Sequence, residues 1–267
     1  MVHGKAETML HRVGRWAHTI TDPPYSARVH AQLGQEVRND GRAQREHLDF
    51  GALTRGVARG VAAACAHLCD GWGIFFGDEY TMCVWRTETE KAGAEWICNG
   101  LWHKPNALPK MSGDGPAPAC EHFAVTHSRR APGEGRRVWN GGGRHAFYTF
   151  PQDGTYAKSR GDVKLHDTPK PLKLLLAMVA DYTQPGEVVC DPFAGSAPVG
   201  EACLQLGRRY LGIECSRATF DVAVERLTAA QAFNTVGAAR RGQPSLFERA
   251  PLKVPGDVDG FGGSDFP

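Results

Sequence analysis

The chain has 267 residues, enough for one large or two small domains with a proper core, and its 31 Lys+Arg against 29 Asp+Glu leave a net charge of only +2. That balance excludes a histone-like polycation and an acidic solvating tail, so any nucleic-acid surface must be a local patch. No apolar run approaches the ~20 residues needed to cross a bilayer, and the N-terminus lacks a signal-peptide layout, so a cytoplasmic protein is expected.

In chain order, Ala17 to Thr21 reads as a short strand, stopped by Asp22-Pro23-Pro24-Tyr25 because two prolines cannot donate to a sheet. Phe50 to Leu68 carries apolar residues three and four apart, at Leu53, Val57, Val61, Ala64 and Leu68, which predicts an amphipathic helix. Ile74-Phe75-Phe76 suits a strand buried on both faces, Glu79 to Glu90 a helix, and Trp96 to Trp102 another strand. From Lys110 to Lys164 glycine, proline and charge replace periodicity, and this stretch reads as an irregular insert. Regular elements resume with a helix over Pro171 to Tyr182, a strand over Glu187 to Cys190, a helix over Val199 to Leu206 and a strand over Tyr210 to Ile213. Ser216 is placed to cap a helix running to about Phe233. After Val236 proline and glycine dominate, and no fixed structure is expected. The eight cysteines form no Cys-x-x-Cys pair, which points to reduced, mostly buried thiols and to no metal site.

Two segments carry chemistry. Val188 to Ser196 runs from a buried strand into a loop of small residues, Asp191-Pro192-Phe193-Ala194-Gly195-Ser196, and then into a helix, which is the layout of a cofactor cradle. Gly195 and Gly200 have the spacing of a phosphate-binding loop, but Glu201 stands where the lysine must be, and there is no G-x-G-x-x-G. Glu214 ends the following strand 23 residues after Asp191, near the offset at which an acid binds ribose hydroxyls. A nucleoside without phosphates satisfies both facts, and S-adenosylmethionine is such a molecule. In the second segment, the Asp22 carboxylate and Pro23 carbonyl can each accept from a planar amino group while Tyr25 offers a stacking face. Two acceptors on one delocalised amine favour a pyramidal nitrogen and stabilise the positive charge that grows there during methylation. In an open α/β sheet both strands end on one edge, so one crevice can hold both substrates.

These motifs resemble those of the permuted, beta-class amino-methyltransferases of DNA over roughly residues 1 to 235. Asp22-Pro23-Pro24-Tyr25 resembles the family's catalytic motif, His166-Asp167-Thr168-Pro169-Lys170-Pro171 and Asp191 to Ser196 its cofactor motifs, and Leu211-Gly212-Ile213-Glu214 the ribose-side strand. The resemblance implies a Rossmann-like S-adenosylmethionine-dependent methyltransferase fold: α/β, circularly permuted, with a mixed, mostly parallel sheet and a loop-rich target-recognition insert. It implies a catalytic half at 1–109, the insert at 110–164, a cofactor half at 165–236 and a tail at 237–267. It further implies direct methyl transfer to the N6 amine of a flipped adenine, with Asp22, Pro23, Pro24 and Tyr25 at the amine. Lys5, Thr168, Lys170, Pro171, Asp191, Pro192, Phe193, Ala194, Gly195, Ser196, Glu214 and Cys215 are the implied cofactor contacts. Asp rather than Ser ahead of Pro-Pro-Tyr favours adenine; a cytosine-N4 enzyme is the nearest alternative, and a catalytically silent DNA-binding regulator is the alternative of another class. Three positions depart from the family pattern: Ala197-Pro198 after Ser196, Lys5 after Gly4, and the polar His18-Thr19 in the first strand.

Inside the insert, arginines interleaved with aromatics supply phosphate and base-edge contacts, and Arg129, Arg130, Arg136, Arg137, Trp139, Asn140 and Arg144 are the candidate DNA-binding residues. Double-stranded DNA, a second copy of the chain and a nucleoid-associated setting in a bacterial or phage-infected cell follow from the resemblance. Gln243-Pro244-Ser245-Leu246-Phe247 resembles the peptide that docks replication enzymes on a sliding clamp.

Overall fold

A computed structural model describes residues 1–28, 51–129, 137–152 and 170–233. Eight strands form one sheet, in the order β1-β8-β7-β2-β3-β5-β4-β6. They are β1 (Val2–His3), β2 (His18–Thr21), β3 (Trp72–Gly77), β4 (Glu95–His103), β5 (Cys120–His127), β6 (Phe147–Thr149), β7 (Val188–Asp191) and β8 (Arg209–Glu214). β5 alone runs against its neighbours; every other pairing is parallel, so the ends of β2, β3, β7 and β8 share one edge. The α/β class and the mixed, mostly parallel sheet follow the sequence expectation.

Alternation along β3 sends Ile74 and Phe76 to one face and Phe75 to the other. On the first face pack α4 (Leu172–Tyr182) and α5 (Pro198–Gln205), through Leu174, Leu175, Met178, Val199 and Ala202. On the second lie the short α1 (Ala6–Met9), α2 (Arg55–Leu68) and α3 (Glu79–Lys91), through Ala6, Ala58, Val61, Ala64, Met82 and Trp85. Both β3 faces are covered, which is why this strand reads as an unbroken apolar run. α2 starts at Thr54, whose hydroxyl accepts from Val57 N, and α3 at Asp78, whose carboxylate accepts from Tyr80 N and Thr81 N. α6 (Arg217–Phe233) closes against α5, where Gly200 lets Leu227 and Tyr210 approach: a Cβ there would lie 2.6 Å from each.

The elements predicted outside the insert appear within a few residues of their expected limits, the largest shift being the start of α2 at Arg55 rather than Phe50. The insert itself is more regular than its composition suggested. Cys120–His127 is an interior strand, pairing with β4 from end to end and with β3 over 122–127, and Phe147–Thr149 forms one edge of the sheet. Composition hid β5 because its flanks are rich in glycine and proline, while its own Phe123-Ala124-Val125 core is short. β1 and α1 were also unforeseen; two residues of strand carry no periodicity to read. The 237–267 tail, with the clamp-like pentapeptide, lies outside the described residues, as does the stretch 153–169. Among the described residues no helix is long and apolar enough to cross a membrane.

Candidate active site

β2 and β7 are neighbours in parallel register, with His18 opposite Val189 and Thr19 opposite Cys190. Asp22 and Asp191 therefore emerge at the same edge although they are 169 positions apart in the sequence. Thr21 joins the two ends: its hydroxyl donates to Asp191 Oδ1 at 2.6 Å and accepts from Phe193 N at 3.3 Å. Asp191 is buried and also accepts from Phe193 N (3.2 Å) and from the Tyr210 hydroxyl (3.2 Å). Burial pushes its carboxyl up to about 7, against the pull of these donors.

The loop beyond Asp191 is shaped by its backbone. Ala194 N donates to Ile213 O, and Ala197 N to Ala194 O. Gly195 has φ +51°, and a Cβ there would meet no atom within 4 Å, so the glycine faces open space. Glu214 fastens the loop from the next strand: Oε2 accepts from Gly195 N at 2.9 Å and Oε1 from Ser216 N at 2.7 Å. Ser196, Pro192 and Ala194 are buried and Phe193 is half-buried. Ala197 is left-handed (φ 56°, ψ 46°) and fully buried, and it passes directly to Pro198 at the first helical position. Lys5 is exposed; its carbonyl starts α1 by accepting from Thr8 N and Met9 N, one residue beyond Gly4, whose N–H donates to Glu214 O. Lys5 thus lies at the same sheet edge, next to Glu214. The Cys215 carbonyl accepts from His3 Nε2.

Around Asp22 the construction relies on side chains from four elements. Lys170 Nζ donates to Asp22 Oδ2 at 2.5 Å and to the Tyr25 hydroxyl at 3.1 Å, and lies 3.3 Å from Glu121 Oε2. The Tyr25 hydroxyl in turn donates to Glu121 Oε2 at 2.8 Å, and Lys104 pairs with Glu121 Oε1. Burial raises the Asp22 carboxyl above the ordinary range, with the Lys170 ammonium opposing it. Burial alone would lower Lys170, but the two carboxylates overcome it and the ammonium titrates above its usual value. Glu121 is likewise desolvated, yet Lys170 and Lys104 hold its carboxyl down at about 2. Asp22 Oδ1 is buried and has no hydrogen-bond partner among the described residues. The exit of the tetrapeptide is held by Ser26 N donating to Asp78 Oδ2 and by Leu53 N donating to Tyr25 O.

The structure thus brings Asp22, Tyr25, Asp191, Gly195 and Glu214 to one edge. It places the ammonium of Lys170, which the resemblance assigns to the cofactor side, on the Asp22 carboxylate, while the buried Pro171 opens α4. Thr168, Arg130 and Arg136 lie outside the described residues, as do His166, Asp167 and Pro169. Of the remaining insert residues, Arg129 is exposed and Arg137 pairs with Glu95. Asn140 Nδ2 donates to the carbonyls of Ala180 and Thr183, and its Oδ1 accepts from Gln184. Arg144 pairs with Asp181, which also accepts from Tyr148, and Trp139 packs 6.2 Å from the Tyr182 ring. These contacts fasten the Trp139–Arg144 segment onto α4 and commit the Asn140 side chain to the fold. Sequence reasoning missed Glu121, Lys104, Asp78 and Thr21. Glu121 shares a strand face with the buried Phe123 and Val125, where a carboxylate needs a partner, but that signal can be read only once β5 is recognised as a strand.

Comparisons with known proteins agree with this arrangement. Over 143 residues, 48% of this chain, it is 32% identical to type II methyltransferase M.XycI of Xanthomonas campestris pv. cyanopsidis and 33% identical to M.Cfr9I of Citrobacter freundii, and the chain spans 42% of the length of each. The fold is that of the M1.HpyAVI–SAM complex (TM-score 0.58, 19% identity, 85% of this chain and 97% of that one). It is equally that of the cytosine-N4-specific PvuII DNA methyltransferase (TM-score 0.59, 15% identity, 83% of each). Residues 17–225, from the start of β2 through most of α6, match the N6/N4 DNA methylase family, and the chain belongs to that family.

Proposed function

We propose that the protein is an S-adenosylmethionine-dependent DNA methyltransferase acting on the N6 amine of an adenine flipped out of double-stranded DNA. The observation that carries this reading is the buried, unpartnered Asp22 Oδ1 beside Tyr25, one strand from an open glycine loop. A carboxylate oxygen left without a donor in the fold suits a donor brought by the substrate. The residues present fit the cofactor. Gly195 faces open space, Glu214 keeps lone pairs for hydroxyls, and from Val188 to Gly207 the sequence has no lysine or arginine to hold phosphates. Asp191 to Ser196 and Glu214 would hold the molecule, with Lys5 and Cys215 at the rim. When bound, it supplies a methyl group activated by a sulfonium.

The chain's own residues do the rest. Tyr25 stacks on the base, and Asp22 and the Pro23 carbonyl accept the two amine protons, drawing the lone pair out of conjugation. The Asp22 carboxylate then stabilises the positive charge gathering on that nitrogen. Thr21 keeps the two halves in register through Asp191. The insert arginines Arg129, Arg130, Arg136, Arg137 and Arg144 contact phosphates, and the exposed Arg129 is the described one free of an ion pair with a named partner. Pairing of two copies and clamp docking through Gln243–Phe247 are further parts of this reading, carried by the family and by the pentapeptide respectively.

Expression in a host without DNA methylases, followed by sequencing that reports modified base and context, tests it. N6-methyladenine at one recurrent sequence is expected. N4-methylcytosine there would transfer the same clamp to cytosine, and unmodified DNA together with no calorimetric S-adenosylmethionine binding would establish the silent regulator instead.

A further inference from the structure

Lys170 sits where the target amine has to go. Its ammonium donates to Asp22 Oδ2, and lies 5.3 Å from the centroid of the Tyr25 ring and 5.0 Å from that of Phe76. It therefore covers the same carboxylate and the same aromatic face that a base amine needs. Asp22 Oδ1 has no accessible surface, so no incoming donor reaches it until a neighbour withdraws. Lys170 is nine-tenths buried, and sending its charge to bulk solvent would leave Lys104 alone to balance the two partly buried carboxylates of Asp22 and Glu121.

The geometry points to Glu121 as a positioning residue that receives Lys170 when the base enters, acting on catalysis through that lysine and through Tyr25. This inference rests on the methyltransferase reading above. Glu121 Oε2 already lies 3.3 Å from Lys170 Nζ, so the transfer needs a side-chain rotation and no new partner. Lys104 holds the other oxygen, which fixes the carboxylate facing the pocket, and the Tyr25 hydroxyl donates to the receiving oxygen. Two carboxylates and two ammoniums leave the cluster near neutrality before and after the move. Once Lys170 has crossed, Asp22 is an uncompensated anion, and it meets the amine as a stronger acceptor. The stacking ring stays in place because its hydroxyl anchor is unchanged.

The test uses a duplex that keeps adenine at the target position identified by sequencing and carries 2-aminopurine immediately beside it, whose fluorescence rises when the adenine leaves the stack. In the parent protein the signal rises on binding. Glu121→Gln deprives Lys170 of its second carboxylate, tightens its hold on Asp22, and lowers the equilibrium capture of the base about tenfold, with S-adenosylmethionine affinity near the parent's. Lys170→Met captures the base at least as well as the parent. The double variant Glu121→Gln/Lys170→Met recovers to within about threefold of Lys170→Met alone, because the competing cation is gone. Lys104→Gln works in the opposite sense: Glu121, relieved of one cation, draws Lys170 harder and capture rises. This second variant decides the matter if Glu121→Gln loses cofactor binding and hence its fold. Equal capture by Glu121→Gln and the parent, an equal loss in the presence and absence of Lys170, or reduced capture by Lys104→Gln overturns the inference while the methyltransferase reading stands. No fluorescence rise in the parent overturns both.

Discussion

Along residues 191–197 the site is made of backbone: one positive-φ glycine, one left-handed alanine, and N–H groups tied to Glu214 and Asp191. Around Asp22 it is made of side chains from four places in the chain, namely the tetrapeptide, Lys104 after β4, Glu121 on β5 and Lys170 ahead of α4. The first region is local, and Asp191 and the N–H groups of Phe193, Ala194, Gly195 and Ala197 find partners within a few residues or on a neighbouring strand. The second is assembled over 148 residues of sequence and keeps one oxygen unsatisfied. On the proposed reading, the loop would be rigid before its ligand arrives, whereas a pocket taking in a flipped base would exchange partners, a task that charged side chains suit.

The sharpest break between the regions is expected from Asp22→Ala. Losing the acceptor of the amine lowers kcat by about 10²–10³-fold, the scale of a removed transition-state hydrogen bond. Calorimetry should find S-adenosylmethionine binding unchanged, because the loop owes nothing to the Asp22 side chain. A matched fall in cofactor affinity would mean that the two regions are one. Gly195→Val reverses the pattern. A β-branched residue at φ +51° strains the loop, and its methyls project into the open space of the cradle. Cofactor affinity should drop about tenfold or more, while capture of the target adenine without cofactor, read by the neighbouring 2-aminopurine, stays at the parental level.

The difference between the regions also governs how much was legible in the sequence. The cradle could be read because its chemistry is contiguous: strand, small residues and helix follow one another from Val188 to Gln205, and Glu214 closes the next strand. The Asp22–Tyr25 clamp was legible for the same reason. Lys170 is legible only as part of a motif, and its pairing with Asp22 and Glu121 is not, because Glu121 belongs to a strand hidden between glycine- and proline-rich flanks. Asn140 and Arg144 read as nucleic-acid contacts in a polar loop; both are exposed, and each also bonds to α4 or the turn after it. Which partners such a residue takes within the fold is set by tertiary pairing, which local composition does not encode.

Acidity separates the regions a third way. Asp191 in the backbone-built half titrates at about 7 through burial, while an unfolded aspartate titrates near ~3.9. Between those values the native state holds a proton that the unfolded chain has released, so this group's contribution to stability declines as pH rises from about 4 to about 7. Asp191→Asn keeps an acceptor for Thr21 and removes the titration. Denaturant midpoints measured across that window should fall with pH more steeply in the parent than in the variant; parallel curves would place the Asp191 carboxyl back in its ordinary range.

The smallest effect is expected at Ala197, where the loop departs from a glycine-like conformation in residue type only. Left-handed backbone costs an alanine about 1–2 kcal/mol. Glycine would remove that cost, but would restore roughly 0.5–1 kcal/mol of unfolded-state entropy and forfeit about 0.8 kcal/mol from a methyl buried against Leu227 and Ala223. These contributions nearly cancel, so Ala197→Gly should leave stability within about 1 kcal/mol of the parent. Ala197→Val keeps the strained φ, adds a branched Cβ and overfills a fully buried position, and should cost about 2 kcal/mol or more. Chemical denaturation of the pair therefore reads the backbone directly. If valine were tolerated as well as glycine, residue 197 would have ordinary φ, and the loop would owe its shape to Gly195 and the anchoring carboxylates alone.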